Sequence, residues 1–378
     1  MIYLDEAATT PLRREVLEAM WPYFGPDFGN PSSHHEVGES ASRALSQARA
    51  DVAQAVGARP SEITFTSGGT ESDNAAIKGI ALAAPRGRHV IVSAIEHPAV
   101  LESAEFLSRL GFEVTELGVD SAGTVRPGDL TAALRDDTTL VSIQYANNEV
   151  GTIQQIETLS RIAAQRGAPF HTDAVQAAGW LDLDVARLGV QSMSISGHKL
   201  GAPKGVGLLY LARGTRIEPL IHGGGQESGR RSGTENVAAA VGMAAALRLV
   251  GGSIDEVVGR RDAFIDRVLA EVPGAILTGE RHHRLPGSAS FVFPGINGET
   301  ILLELEAHGV VCSSGSACAA GSDEPSHVLT AMGLDADVAQ TAVRFTFGRS
   351  TTTEDLDNAA SRLVDAVGVV SGRGARPS

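Results

Sequence analysis

Between about residues 60 and 212 the sequence alternates short β-rich runs with helical patterns, and this alternation constrains the fold most. Such alternation is typical of a largely parallel, doubly wound sheet with helices on both faces. The predicted strands are residues 63–65, 89–94, 113–117, 140–145, 169–171, 192–195 and 206–211, with helices at 71–84, 99–110, 127–135 and 156–166. Only five residues separate Lys199 from Gly205, too few for a helical crossover, so we expect the last strand to run antiparallel. The sequence therefore predicts an α/β fold with a mostly parallel seven-stranded sheet.

The remainder of the chain predicts a second, smaller α+β domain, and 378 residues suggest about two domains. A glycine-rich stretch at 222–233 interrupts the alternation. Two helices follow it, then strands near 289–293 and 343–347 and a final helix. We predict four parts, which are an N-terminal arm that joins the small domain (1–15), a large domain (16–252), a small domain (253–370) and a frayed tail (371–378).

Charge and composition argue against several classes of protein. The net charge of −14 at pH 7 argues against direct nucleic-acid binding. No apolar stretch approaches the roughly eighteen residues of a membrane span. Residues 1–6 lack the basic start and apolar core of a signal peptide, and two cysteines fit a reducing compartment. We expect a cytoplasmic protein that does not enter the membrane.

Polar residues follow the first predicted strand, at the edge where open α/β sheets bind ligands. This strand runs into the turn 67–70 (SGGT) and then a helix, with Asp73 three residues after Thr70 as in a capping signature. Free N–H groups at such a helix start suit a phosphate. An ordinary turn between a strand and a helix, with glycine for a positive φ, explains the same residues equally well at this stage.

Later strand ends carry further polar residues. These are Glu96-His97, Asn147-Asn148-Glu149, Asp173 with Gln176, and Ser196-Gly197-His198-Lys199. Singly, the histidine is typical of a surface position and the asparagine pair of a turn. A lysine directly after an apolar strand is harder to explain, because a buried ammonium needs a partner or a reaction. Together they match what pyridoxal phosphate (PLP) requires, namely a Schiff-base lysine, a carboxylate at the ring nitrogen, phosphate donors and a flat group over the ring.

Seven motifs resemble the cysteine desulfurases of the NifS/IscS type, which are PLP enzymes with the class V aminotransferase fold (fold type I). The motifs are YLDEAATTP (3–11), FGNPSS (28–33), TSGGTESDN (66–74), NNEVG (147–151), SGHK (196–199), RSGT (231–234) and SSGSAC (313–318). They run in order over nearly the whole chain, and several are long enough to be highly specific.

The resemblance implies a role for each matching residue. Lys199 resembles the Schiff-base lysine, Asp173 the partner of the ring nitrogen, and His97 the ring-stacking acid/base. The other cofactor ligands implied are Asn148 and Gln176 near the phenolic oxygen, and Gly69, Thr70, Ser196 and His198 at the phosphate. Thr234 matches a phosphate contact that the family takes from a second subunit, so a homodimer is implied. Arg344 is similar to the arginine that binds the substrate carboxylate, with Asn30 and Arg349 as secondary candidates.

The two cysteines receive different interpretations. Cys312 follows Val310-Val311 and is most simply a buried strand thiol. Cys318 lies in a run without large apolar residues, within the predicted loop 313–325, so we expect a mobile exposed loop. The resemblance implies that Lys199 removes the Cα proton of L-cysteine, that Cys318 takes the sulfur as a persulfide, and that L-alanine leaves. The spacing of the cysteines fits neither a redox CxxC nor a zinc knuckle, and no metal site is proposed.

Several other functions are weighed against this one. A selenocysteine lyase, an aminotransferase or a kynureninase-like hydrolase has the same scaffold, although the loop of Cys318 argues against the last two. A non-catalytic sulfur-transfer scaffold would have no need of Lys199, Asp173 and Cys318 together. A nucleotide-binding dehydrogenase lacks support, since neither GxGxxG after the first strand nor GxxxxGK[ST] occurs. The sulfur acceptor stays open between iron–sulfur cluster assembly, tRNA thiolation and DNA phosphorothioation, with a relay protein favoured by the acidic charge.

Overall fold

The computed structural model describes residues 1–83, 86–315 and 324–372. Its strands are Ile2–Tyr3 (β1), Ile63–Thr66 (β2), His89–Ser93 (β3), Glu113–Leu117 (β4), Thr138–Ser142 (β5), Phe170–Asp173 (β6), Ser192–Ser196 (β7), Gly207–Leu211 (β8), Ile276–Leu277 (β9), Ser288–Val292 (β10), Val310–Val311 (β11) and Ala342–Thr346 (β12). Its α-helices are Arg14–Met20 (α1), Glu36–Ala55 (α2), Gly69–Ala83 (α3), Pro98–Arg109 (α4), Pro127–Ala133 (α5), Ile156–Gln165 (α6), Val185–Leu188 (α7), Val237–Leu249 (α8), Asp255–Glu271 (α9), Gly298–Ala307 (α10), His327–Ala331 (α11), Ala336–Ala339 (α12) and Thr353–Val370 (α13).

Seven strands form the central sheet, in the order β2-β8-β7-β6-β5-β3-β4. The neighbours from β7 to β4 pair in parallel, whereas β8 pairs antiparallel with both β7 and β2. The predicted α/β class, the seven strands and the antiparallel last strand are therefore confirmed. Because β2 and β7 both run against β8, they run in the same direction. The carboxyl ends of β2, β3, β5, β6 and β7 consequently lie at one edge of the sheet.

Two predicted strands of the central sheet differ from the structure by more than one residue at an end. The run predicted at 140–145 pairs in the sheet only over Thr138–Ser142, although Ile143 and Tyr145 beyond it are buried. The run predicted at 169–171 extends to Asp173, which is the last residue of β6. An apolar run indicates burial and not strand pairing. The prediction therefore ended the first strand too late, at 145, and ended the second too early, before the polar residues Thr172 and Asp173.

Burial on both faces explains why the strands read as apolar runs. Every residue of β3, β5, β7 and β8 is buried, as expected for a sheet covered by helices on both sides. Alanine-rich α8 packs on α2 and α1, and small side chains allow this close approach. Among the described residues, no helix has both the length and the apolar character needed to cross a membrane.

The C-terminal part has its own sheet and its own apolar core. Its three strands are ordered β12-β10-β9, and α9, α10 and α13 pack around them. Three buried rings meet in this core, with centroids 5.2 Å apart for Phe264 and Phe345 and 6.3 Å apart for Phe291 and Phe345. At the N-terminus, β1 pairs in parallel with β11. The domain boundaries stated above stay predictions, and the predicted tail lies mostly outside the described residues.

Replacing Phe345 by alanine tests the core of the C-terminal part. Phe345 is fully buried, so Phe345→Ala should lower the free energy of unfolding by about 3–5 kcal/mol. Urea unfolding followed by circular dichroism measures this loss. Leu303, which is 60% exposed, is the control, and Leu303→Ala should change the same free energy by less than about 0.5 kcal/mol. Equal losses for the two variants would contradict the assignment of this core.

Candidate active site

The shared sheet edge brings the predicted chemistry together. His97 follows β3 and begins α4, Asp173 ends β6, and Lys199 follows β7 in a short 3-10 helix. Burial lowers the pKa of His97, Asp173 raises it, and Lys199 and His327 lower it. Asp173, Lys199 and His327 are thus each near enough to His97 to affect its charge. The ring of His97 is fixed by its own helix, because its Nδ1 accepts from the N–H of Ala99 at 3.1 Å.

Asp173 is a buried carboxyl group, and two other buried ionisable groups, Asp73 and His171, affect its pKa. Burial, and the neighbouring carboxyl of Asp73, raise the pKa of Asp173 to about 7, while His97, the N–H of Val175 and His171 lower it. Burial likewise raises the pKa of Asp73 to about 7. Asp73 Oδ1 lies 3.2 Å from Nε2 of His171, which is itself fully buried. A protonated ring nitrogen placed beside Asp173 would supply the positive charge that this cluster lacks.

Lys199 meets the N-terminal arm in this structure. Its Nζ donates to the carbonyl of Ala8 at 2.7 Å and also to the carbonyl of Ala7. Gln176 Nε2 donates to the same carbonyl of Ala7 at 3.0 Å. A cavity of about 480 Å³ opens here, lined among others by Lys199, Gln176 and Asn148. Four predicted site residues, Asn148, Gln176, Lys199 and Arg349, therefore share one cavity beside the arm.

The predicted phosphate cradle lies at the start of α3. A Cβ on Gly69 would lie 2.7 Å from Val175 Cγ2 and 3.5 Å from Ser196 Cβ, so only glycine fits there. The helix begins at Gly69, which places Thr70 inside its first turn. The capping expectation for Thr70 and Asp73 is therefore wrong, because Asp73 points inward to His171. The first N–H groups of a helix have no partner within it and favour an anion.

His198 lies in the short 3-10 helix that follows β7. Its Nδ1 lies 3.1 Å from Thr9 Oγ1. Burial, with help from Lys199 and Lys204, lowers the pKa of His198 to about 4. A phosphate group nearby would oppose that shift. Ser196 lies against Gly69 at the helix start, whereas the ring of His198 contacts Thr9, so a phosphate site that includes His198 stays a prediction.

Arg344 is the most deeply buried of the predicted substrate ligands, at 1% exposure. Its Nη2 donates to Asp5 Oδ1 at 2.6 Å, and its Nη1 donates to the carbonyls of Asn148 at 2.9 Å and Gly315 at 3.2 Å. Its Nε has no hydrogen-bond partner among the described residues. A substrate carboxylate at Arg344 would therefore compete with Asp5.

The secondary candidates Arg349 and Asn30 and the predicted phosphate contact Thr234 lie in different places. Arg349 lines the 480 Å³ cavity, stacks on Trp180 at 5.2 Å and donates to the carbonyl of Gly179. Asn30 is exposed, and its Oδ1 accepts from the N–H of Ser32, a contact that reaches no other predicted site residue. Thr234 is exposed and lines a separate cavity of about 190 Å³ beside the turn that precedes α3.

The cysteines are placed only in part. Cys318 lies outside the described residues. Cys312 follows β11 and is half-buried, so the expectation of a buried strand thiol is wrong in its placement. Burial, and then Asp5, raise the pKa of Cys312, which makes this thiol a poor nucleophile.

Sequence reasoning missed several residues of the site. The carbonyls of Ala7 and Ala8 contact Lys199 through the main chain, which leaves no side-chain signal. Asp5 and His171 had a weak signal, because each is a polar residue beside a buried apolar run. The carboxyl groups, the amine and the helix start fit PLP, since they supply a partner for each of its polar groups.

Comparisons with known proteins identify a matching family, similar sequences and similar structures. A family model described as aminotransferase class-V matches residues 2–359. A protein named cysteine desulfurase IscS from Dictyoglomus turgidum is 50% identical, covering 98% of this chain and 96% of its own. The structure of a NifS-like protein superposes with a TM-score of 0.90 at 38% identity, covering 97% of this chain and 99% of that one. A structure described as SspA in complex with cysteine gives a TM-score of 0.83 at 37% identity, covering 92% and 99%.

The variant Asp73→Asn tests the raised pKa of Asp73 through the pH dependence of the free energy of unfolding. Asp73 has a pKa near 3.8 when unfolded and about 7 when folded, so the folded protein binds the extra proton between these values. Stability from this proton is present at low pH and is lost as pH rises toward 7. The cofactor-free wild type should therefore lose unfolding free energy relative to Asp73→Asn between pH 5 and pH 8, measured by urea unfolding. A difference that is constant with pH would contradict the assignment.

Proposed function

The chain belongs to the aminotransferase class-V family, and on that premise we propose that it is a PLP-dependent cysteine desulfurase that converts L-cysteine to L-alanine. The observation that carries the proposal is the meeting of Lys199, Asp173 and His97 at one sheet edge. Its support from relatives is the 50% identity to a protein named cysteine desulfurase over nearly all of both chains.

We propose that different residues at the sheet edge hold the cofactor and move protons. PLP, bound through a Schiff base, stabilises negative charge at the substrate Cα. Asp173 would hold the ring nitrogen. Lys199 would bind the cofactor until the amine of L-cysteine displaces it, and its freed amine would then take the Cα proton. His97 stacks on the ring and exchanges protons with the substrate. Gly69, Thr70, Ser196 and His198 bind the phosphate, and Asn148 and Gln176 bind the phenolic oxygen.

The substrate is held by its carboxylate while its sulfur is transferred. Arg344 binds this carboxylate, with Asn30 and Arg349 as secondary candidates. The thiolate of Cys318 attacks the substrate sulfur, so that an S–S bond forms as the Cβ–S bond breaks. The electron pair of the broken bond stays on carbon, where a proton completes the methyl group of L-alanine. The persulfide on Cys318 then passes its outer sulfur to an acceptor.

A second copy of the chain completes the proposed site. Thr234 of that copy contributes to the phosphate site. Support comes from Trp21, Phe24 and Phe28, three large apolar side chains within eight residues of sequence, whose exposures are 70%, 61% and 72%. Monomeric proteins rarely leave such large apolar side chains together in water, so we propose that the homodimer covers them.

The sulfur acceptor is proposed to be a protein. The net charge of −14 disfavours direct contact with nucleic acid. A scaffold for iron–sulfur clusters, or a relay toward tRNA thiolation or DNA phosphorothioation, fits this charge equally well. A cytoplasmic location suits both thiol chemistry and the two cysteines.

The activity is tested by measuring alanine and sulfide released from L-cysteine under a reductant. The holoenzyme should release both in equal amounts. Lys199→Ala should abolish release, because both the cofactor bond and the Cα base are lost. Cys318→Ala should keep the bound cofactor but lose sulfide, and Cys312→Ala is the matched control that should retain activity. Alanine formed from L-selenocysteine alone would assign the chain to the selenocysteine lyases instead.

The two arginines are distinguished by their effects on KM. Arg344→Lys should raise KM for L-cysteine by about tenfold or more, because lysine cannot form the bidentate contact with a carboxylate. Arg349→Lys should raise it less, since its guanidinium is held by Trp180 and main-chain carbonyls. The reverse order would move the carboxylate site to Arg349 in the cavity wall. Initial rates across L-cysteine concentrations give both values.

A further inference from the structure

Glu149 is a buried carboxylate beside the candidate site that the desulfuration scheme does not use. It follows Asn148 and is 4% exposed. Its turn is rigid, because Asn147 Oδ1 accepts from the N–H groups of Glu149 at 2.8 Å and Val150 at 2.9 Å. The turn is also tied to the end of β3, since Asn147 Nδ2 donates to the carbonyl of Ile95. A buried charge needs partners, and those of Glu149 lie far away in sequence.

The first partner is the chain just before Cys318, residues 313–315, which we call the upstream flank. A Cβ on Gly315 would lie 3.5 Å from both Cβ and Oε2 of Glu149, so the main chain there rests on the glutamate side chain. Gly315 also has a positive φ of 92°, which favours glycine. The same flank is held from β12, because Ser313 and Arg344 exchange main-chain hydrogen bonds.

The second partner is the chain after Cys318, residues 326–329, which we call the downstream flank. Ser326 Oγ donates to Glu149 Oε2 at 2.5 Å, a length typical of a hydrogen bond to a charged carboxylate. The same Oγ accepts from the N–H of Leu329 and so caps α11. His327 Nε2 lies 3.0 Å from the carbonyl of Glu96. Val328 and Leu329 belong to the same apolar cluster as Ile95 and Val150.

Charge at Glu149 is balanced by the groups around it. Burial raises the pKa of Glu149, while Ser326, His327 and Arg344 lower it. Arg344 also donates to the carbonyl of Gly315, so one carboxylate and one guanidinium contact the upstream flank from two sides. The two flanks are separated by residues 316–325 in the sequence, and both contact the side chain of Glu149.

We propose that Glu149 is a positioning residue, which ties the upstream flank and the downstream flank to each other beside the candidate active site. The inference rests on the role proposed for Cys318. Its distinguishing feature is that one side chain controls two separate stretches of chain. A purely local role would affect only the turn 147–151.

Hydrogen–deuterium exchange of the holoenzyme tests whether Glu149 holds both flanks, without measuring activity. Glu149→Gln should raise amide exchange in peptides from both flanks by about tenfold, as expected for loss of a hydrogen bond to a charge. Glu299, an exposed residue on α10, supplies the matched control Glu299→Gln, which should leave both flanks unchanged. Faster exchange in only one flank, or in neither, overturns the proposal.

Ser326→Ala tests the same tie from the other partner. Because the hydrogen bond needs both side chains, the double variant should exchange no faster in the upstream flank than Glu149→Gln alone. Additive effects would mean that the two residues act separately, against the proposal. Should Glu149→Gln fail to fold, Ser326→Ala and Glu149→Asp carry the comparison, with the shorter carboxylate expected to give partial protection.

Kinetics separate positioning from substrate binding. Glu149→Gln should slow persulfide formation on Cys318 by about tenfold while KM for L-cysteine stays within about twofold. Absorbance of the bound cofactor should match the wild type. A rise in KM or loss of cofactor overturns the positioning role. If the wild type itself forms no persulfide, the proposed function fails, and the exchange experiment still decides whether Glu149 ties the flanks.

Discussion

Burial of ionisable groups at the carboxyl edge of the sheet is the constraint on which the rest of the structure depends. Asp173, Asp73 and His171 lie where water cannot solvate them, so each charge state is set by its neighbours. A sheet covered on both faces provides this environment, and its parallel strands bring the groups to one edge. The fold is therefore also what raises the pKa of Asp173, the proposed partner of the ring nitrogen.

Sequence reasoning predicted those candidate site residues whose proposed role lies in the side chain. Lys199, Asp173 and His97 each end or follow an apolar run, so their polarity is visible against it. The sheet was predictable for the same reason, since buried parallel strands read as apolar runs. Motif resemblance added Arg344 and Cys318, which neither periodicity nor composition singles out.

Contacts that join distant parts of the chain were not predictable. Asp5 and Arg344 pair across more than three hundred residues, and nothing local to either position indicates the other. The same holds for Glu149 with Ser326. The inward direction of Asp73 was missed because a helix that begins one residue before Thr70 turns a capping pattern into a buried pair. Main-chain contacts, such as those of Ala7 and Ala8 with Lys199, depend on geometry that residue identity does not encode.

The pairing of β1 with β11 has a consequence for synthesis on the ribosome. Strand β1 is synthesised about three hundred residues before its partner, Val310–Val311. At typical elongation rates this partner follows after roughly 15–60 seconds. Throughout that interval the central sheet can form, but the arm that meets Lys199 has no strand to pair with. The arm is thus made long before it can pair, and the surroundings of Lys199 are completed only after Val310–Val311 has been made.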